Sequence, residues 1–223
     1  FHVPNVSAFW ALLLPRARRR AWIVHWHSDV ERSKPALRLA YPHYRIFERA
    51  LLEGAETIVV TSPQYLEASE ALRPWRHKCR VIPLGIAPAR LAERPDARPE
   101  WPGAGLRVLA VGRLTYYKGF ETLVRAVAGV AGLQLVLVGE GEERATLEAR
   151  LREAGDPGNV HLVGAVDDHT LQGYLASCDL LALPSIERTE AFGLVLLEAM
   201  RYAKPLVVSD LPGSGVAFVA RDG

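Results

Sequence analysis

The stretch LRVLAVGRLTYYKGFETLVRAVAGVAGLQLVLVGEG, residues 106–141, decides the fold. Two apolar runs, Leu106–Val111 and Leu133–Val138, flank a segment at residues 119–130 whose apolar side chains recur at helical spacing. Runs so rich in Val and Leu read as strands buried on both faces, the habit of a parallel sheet. Strand, helix and strand then make one βαβ unit, and the right-handed crossover rule makes it Rossmann-like.

The alternation extends outward in both directions. Strand-like runs at residues 22–26, 57–61, 80–83, 160–163, Leu180–Leu183 and Leu206–Val208 take turns with helical periods at 35–52, 63–72, 142–153, 168–177 and 190–202. The class is α/β, with parallel sheets expected to be covered on both faces. The pattern breaks once, at IAPARLAERPDARPEWPGAGL, residues 86–106, where four prolines and two glycines erase any period. That segment reads as an interdomain linker or hinge. Two lobes joined there would line a cleft with the C-terminal ends of their strands, where open α/β sheets bind ligands.

Composition narrows the function. The chain has 223 residues, 49% apolar and 23% charged, enough to bury a core and too apolar for disorder. No apolar run reaches the ~18–20 residues of a membrane span. Cys79 and Cys178 have neither disulfide-framework nor metal-ligand spacing, which suits two core thiols of a reduced, cytosolic protein. The net charge of +2 hides an asymmetry, with 16 basic and 10 acidic groups in residues 1–100 against 11 and 15 in residues 101–223. Its densest basic patch is Arg16, Arg18, Arg19 and Arg20, just after the apolar residues 9–14. It reads either as the edge of a helix lying on an anionic membrane surface or as a solvated helix end. Basic and aromatic residues do not interleave, which argues against nucleic acid. The start of the sequence reads as cut, because the first residue is Phe and a strand-like run begins at once.

Three stretches carry chemistry. Gly112 leaves the strand Leu106–Val111, and Arg113 and Lys118 follow before Gly119 opens a helix. Two cations beside a helix N-terminus suit a diphosphate, with a planar fork from Arg and a point charge from Lys. A Walker loop is excluded, because GK[ST] is absent. VGEG at residues 138–141 allows backbone to approach a ligand but lacks the spacing of a dinucleotide fingerprint. PSIERTEAFGLVLLEAM, residues 184–200, is the most informative. Glu190 and Glu198 are expected on one face of one helix, 2.2 turns apart. Glu198 sits in an apolar segment and needs partners, which ligand hydroxyls would supply. The backbone N–H groups of Phe192, Gly193 and Leu194 are candidates to meet a phosphate oxygen. Hydroxyl-bearing groups on either side of a diphosphate describe a sugar nucleotide.

GRLxxxKG, VGEG and PSxxRTEAFGLVLLEAM, in that order and spacing, resemble glycosyltransferase family 4, the retaining sugar-nucleotide transferases of the GT-B fold. The resemblance extends back through VIPLGI (residues 81–86) and IVHWHSDVERSK (residues 23–34). It implies two Rossmann-like lobes, both lacking an end. Residues 1–86 would be part of an N-terminal acceptor-side lobe, 87–105 the linker and 106–223 the nucleotide-sugar lobe. By the same resemblance Arg113 and Lys118 hold the donor diphosphate, Glu198 the ribose hydroxyls and Glu190 the transferred sugar, beside the N–H groups of Phe192, Gly193 and Leu194. Val166 is a weaker contact for the base. His27 resembles the active-site histidine that faces the donor sugar, with His25 two residues earlier as the competing assignment and Asp29 a weaker neighbour.

Neither a DxD motif nor a His/Asp cluster is visible, so no metal and no cofactor is expected; the nucleotide sugar is a substrate. Arg113 and Lys118 then stabilise the departing diphosphate as an oxocarbenium-like centre forms. The resemblance implies transfer of a hexose, with mannose or glucose suggested, to a glycan or lipid-linked acceptor in cell-surface polysaccharide synthesis. The protein would be cytoplasmic and peripheral at the inner membrane face. Competing readings are a sugar-nucleotide epimerase of the same fold, a non-catalytic sugar-nucleotide-binding module and, poorly, an NAD-dependent dehydrogenase.

Overall fold

A computed structural model describes residues 1–30 and 35–221, with the backbone alone at residues 18 and 35–37. Two compact units emerge. The first comprises Phe1–Leu84 together with Arg188–Phe192 and Pro212–Phe218; the second comprises Gly85–Glu187, Gly193–Leu211 and Val219–Gly223.

The first unit is a four-stranded parallel sheet in the order β1-β2-β3-β4, with β1 His2–Val3, β2 Ile23–Trp26, β3 Thr57–Val60 and β4 Cys79–Val81. Its helices are α1 (Trp10–Leu13), α2 (Pro15–Arg18), α3 (Pro35–Gly54) and α4 (Pro63–Ala68). Ser62 starts α4 by accepting the Tyr65 N–H at 3.2 Å, with Pro63 at the first helical position. Along β2 and β3 burial alternates: Val24, Trp26, Ile58 and Val60 are fully enclosed, while Ile23 is exposed and His25 half-buried. Burial on both faces was expected; in these short strands only one face is sealed. The expected membrane-surface helix is also different. Leu14 is extended between α1 and α2, because the residue before Pro15 avoids the helical region. Trp10, Leu13 and Leu14 are nonetheless exposed, as are Arg16, Arg19 and Arg20; the Arg18 side chain lies outside the described residues.

The second unit is a five-stranded parallel sheet in the order β7-β6-β5-β8-β9. Its strands are β5 (Leu106–Val111), β6 (Leu133–Val138), β7 (Val160–Gly164), β8 (Leu180–Leu183) and β9 (Leu206–Val208). Its helices are α5 (Phe120–Val127), α6 (Arg144–Glu153), α7 (Asp168–Ser177) and α8 (Leu194–Arg201), and a last short helix, α9 (Val216–Val219), straddles the boundary of the units. Here Leu109, Leu135, Val136, Leu137 and Leu181 are fully buried, the continuous burial that apolar runs require. The strand order is that of a Rossmann half, reversing direction at β5, so its ligand crevice lies at the C-terminal ends of β5 and β8. Residues 87–105, read as a linker, run along α7: Ala92 N–H donates to Gln172 Oε1 at 2.8 Å and Trp101 Nε1 to Ser177 Oγ at 3.1 Å.

Both cysteines are buried free thiols, and burial pushes each up to about 11. Among the described residues no helix is long and apolar enough to cross a membrane.

Candidate functional site

The crevice of the second unit is built from glycine. Gly112, Gly139 and Gly164 stand at the exits of three neighbouring strands, β5, β6 and β7. Gly112 N–H donates to Val138 O at 3.0 Å and Gly139 N–H to Gly164 O at 2.8 Å. A Cβ at Gly139 would lie 1.9 Å from Gly112 O, so these backbones touch. Beyond them Leu114 N–H donates to Glu140 O at 2.9 Å, and Ile186 N–H, after β8, donates to Tyr117 O at 2.8 Å. The Arg113–Lys118 loop is thereby pinned to both sides of the switch point. Gly119 enters α5 in the left-handed region (φ 66°), with Pro184 O 2.1 Å from where a Cβ would stand.

Over this bare backbone lies an ammonium. A Cβ at Gly112 would be 3.3 Å from Lys118 Cε and 3.4 Å from Nζ. Lys118 Nζ is also 5.8 Å from the centroid of the Tyr117 ring. Arg113 pairs with Glu142 at 3.6 Å, both side chains largely exposed (74% and 46%). Such an exposed pair is worth little.

Glu198 lies on α8 and lines a cavity of about 350 Å³, with Arg90, Asp168, Gln172 and Leu194 among its other walls. Burial raises the Glu198 carboxyl above its ordinary range; Arg90 opposes the shift and Asp168 adds to it. A half-buried carboxylate beside one cation, in a cavity large enough for a ribose, has acceptor capacity to spare. Val166 sits half-buried in the loop before α7, with Asp167 capping that helix through the Thr170 N–H at 2.7 Å. Gly193 precedes α8 in the left-handed conformation (φ 78°), and Leu194 is its exposed first residue.

The expected pairing of Glu190 and Glu198 on one helix face is corrected. The helix begins at Leu194 because Gly193 breaks the helical run, which leaves Glu190 in the preceding loop. Glu190 and Phe192 are buried and belong to the first unit. There the Glu190 carbonyl accepts from the buried Ser214 hydroxyl, and Gly215 N–H donates to Ala191 O at 3.0 Å.

In the first unit His25 lies on β2 and His27 immediately follows it, with His27 N–H donating to Val3 O at 2.8 Å. His2 Nδ1 and His27 Nε2 are hydrogen-bonded at 2.7 Å. Burial, then the neighbouring imidazoles His25 and His2, lowers the His27 pKa, so the ring is neutral at pH 7. Asp29 is more central than its sequence setting suggested. It accepts from Trp26 Nε1 (3.2 Å) and Ser69 Oγ (2.7 Å), pairs with Arg188, and offers its N–H to Tyr65 Oη at 2.5 Å. Residues 31–34 of the IVHWHSDVERSK stretch lie outside the described residues.

With this geometry in hand, comparison with known proteins is direct. The family model "Glycosyl transferases group 1" matches residues 93–223, and that of the "Glycosyl transferase 4-like domain" matches residues 1–85. The chain belongs to the group 1 glycosyltransferases. It is similar to the D-rhamnosyltransferase WbpZ of Pseudomonas aeruginosa, 35% identical over 201 residues, covering 88% of this chain and 51% of WbpZ. It is also similar to the O-antigen chain mannosyltransferase C of Escherichia coli, 30% identical over 90% of this chain and 53% of that protein. The chain spans about half the length of these curated relatives. Among solved structures, HepE of Anabaena in complex with UDP and glucose superposes with a TM-score of 0.71, over 100% of this chain and 61% of HepE, at 21% identity. The fold is of the GT-B type.

In this glycosyltransferase the second unit holds Gly112, Arg113, Lys118, Val166, Gly193, Leu194 and Glu198, and Lys118 is brought onto Gly112. The first unit holds His27, Glu190 and Phe192. Sequence reasoning did not single out Arg188, Tyr65, Ser69 or His2. Arg188 sits inside the RTE motif, where a charged residue beside an expected site was the available signal. His2 carried none, because only the parallel pairing of β1 with β2 sets it opposite His25.

Proposed function

We propose that the protein transfers a hexose, with retention, from a nucleoside diphosphate sugar to a glycan or lipid-linked acceptor in cell-surface polysaccharide synthesis. One observation carries the reading: Lys118 Nζ lies over the side-chain-free strand exit at Gly112, on the Rossmann switch point. An ammonium over bare backbone, with an exposed guanidinium one residue past the strand exit, suits a diphosphate.

Each residue has a part. Lys118 and Arg113 neutralise the charge that grows on the leaving diphosphate, which lowers the barrier to breaking the anomeric bond. Glu198 accepts from the ribose hydroxyls, and Val166 borders the base. Glu190 holds hydroxyls of the transferred sugar, with Phe192, Gly193 and Leu194 giving backbone N–H groups to the donor. His27, neutral, donates to or accepts from the sugar, and the leaving phosphate takes the acceptor's proton as the acceptor attacks on the same face. The two curated relatives support a hexose of manno configuration, since D-rhamnose is 6-deoxymannose. HepE, solved with UDP and glucose, supports a nucleotide sugar as the donor. Exposed Trp10, Leu13 and Leu14, with Arg16, Arg19 and Arg20, support contact with an anionic membrane at the cytoplasmic face, where a lipid-linked acceptor resides.

The test is a thermal-shift panel of UDP-, GDP- and ADP-sugars on the chain, followed by acceptor transfer in the whole protein. The matching donor raises the melting temperature, and a glycosidic product of unchanged anomeric configuration forms. Inversion at C2 of the donor without an acceptor would instead assign an epimerase.

A further inference from the structure

We propose that His2, His25 and His27 form a binding site for a first-row divalent cation of the Zn²⁺ class, with three imidazole ligands and a fourth position open to solvent. The site lies in the first unit, where His2 of β1 meets the C-terminal end of β2, and stands independently of the transferase reading. The three side chains meet because His2 pairs in register with His25, while His25 and His27 share one face of an extended strand.

The distances suit a metal. The candidate ligand atoms of the three residues all lie within 4.8 Å of one another, and the closest pair, His2 Nδ1 and His27 Nε2, is 2.7 Å apart. A tetrahedral centre with Zn–N bonds of ~2.0–2.1 Å needs nitrogens roughly 3.4 Å apart, inside that range. Ring centroids are separated by 4.2 Å for His25–His27, 5.0 Å for His2–His27 and 5.2 Å for His2–His25.

The chemistry suits it too. His25 Nε2 is buried and, among the described residues, has no hydrogen-bond partner, an unsatisfied polar atom that a protein ordinarily avoids. A cation satisfies that nitrogen and relieves the crowding of three basic rings. His2 is exposed, so the fourth position faces water. Three protein nitrogens with one open position is the donor count of an accessible zinc centre, not of a closed structural one. Occupancy would tie up the His27 imidazole, making the metal an inhibitor of any role that ring plays.

The experiment titrates Zn²⁺ calorimetrically into the metal-stripped chain. One Zn²⁺ per chain is expected, with a first shell of imidazole nitrogens at ~2.0–2.1 Å by X-ray absorption. His2→Asn and His25→Asn each weaken binding by at least the ~10-fold that even outer-shell substitutions cost. His161→Asn, on the exposed edge of the other sheet, leaves it unchanged. His2 is exposed, so His2→Asn decides the matter should His25→Asn fail to fold. Absence of binding, binding unaltered in the His2 variant, or a first shell without imidazole overturns the proposal.

Discussion

Arg188 and Asp29, 159 positions apart in sequence, form an ion pair within the first unit. The guanidinium also lies 5.4 Å from the centroid of the Tyr65 ring, and Asp29 is held by Trp26 and Ser69. Both partners are mostly buried, with side chains 31% and 22% exposed. The segment that carries Glu190 is therefore anchored at its start by charge, and at Glu190 itself by the Ser214 hydroxyl.

Arg188→Ala leaves Asp29 partly buried without its cation, at a cost of roughly 1.5–3 kcal/mol. Urea denaturation measures that loss. Limited proteolysis should show faster cleavage near residues 188–192, and Asp29→Asn should reproduce both effects, because the two residues act as one latch.

Gly139→Ala forces a methyl group against Gly112 O, 1.9 Å away, at φ 144°. Neither backbone can withdraw without breaking the Gly112–Val138 hydrogen bond. A loss of at least ~2 kcal/mol is expected, with donor affinity falling alongside. A melting curve and a donor titration on the same sample check both.

Glu198→Gln separates stability from function. The Glu198 carboxyl is raised by burial, so the folded state binds its proton more tightly than the unfolded chain does. Its stabilising contribution is present at low pH and is lost as pH rises through the folded pKa. At neutral pH the neutral amide therefore raises the melting temperature, and the difference from wild type shrinks on acidification. Donor affinity falls by ~10-fold or more, the worth of a charge-assisted hydrogen bond. A variant less stable at neutral pH would contradict the assignment of a desolvated carboxylate.

Much of this was legible in the sequence. Leu106–Val111, Leu133–Val138, Leu180–Leu183 and Leu206–Val208 are strands over the residues their apolar runs marked. Arg113 and Lys118, read from the sequence as two cations after the strand Leu106–Val111, do follow β5. What escaped was non-local. The helical period at residues 190–202 ran through Gly193, whose left-handed conformation starts the helix at Leu194 and leaves Glu190 outside it. Gly213 and Gly215, which drew no reading from the sequence, let their segment pack closely within the first unit. A Cβ at Gly213 would be 2.3 Å from Ala68 Cβ, and one at Gly215 would be 2.9 Å from Ser62 Oγ. Strand register, which brings His2 to His25, has no signature in so short a strand as β1.

The central claim is that Lys118, poised over Gly112, carries charge on the leaving diphosphate. Transfer by Lys118→Ala in the whole protein, with the donor matched by thermal shift, tests it most directly. The account predicts turnover reduced by at least ~10²-fold while circular dichroism shows an intact fold. Near-normal turnover in that variant would contradict it.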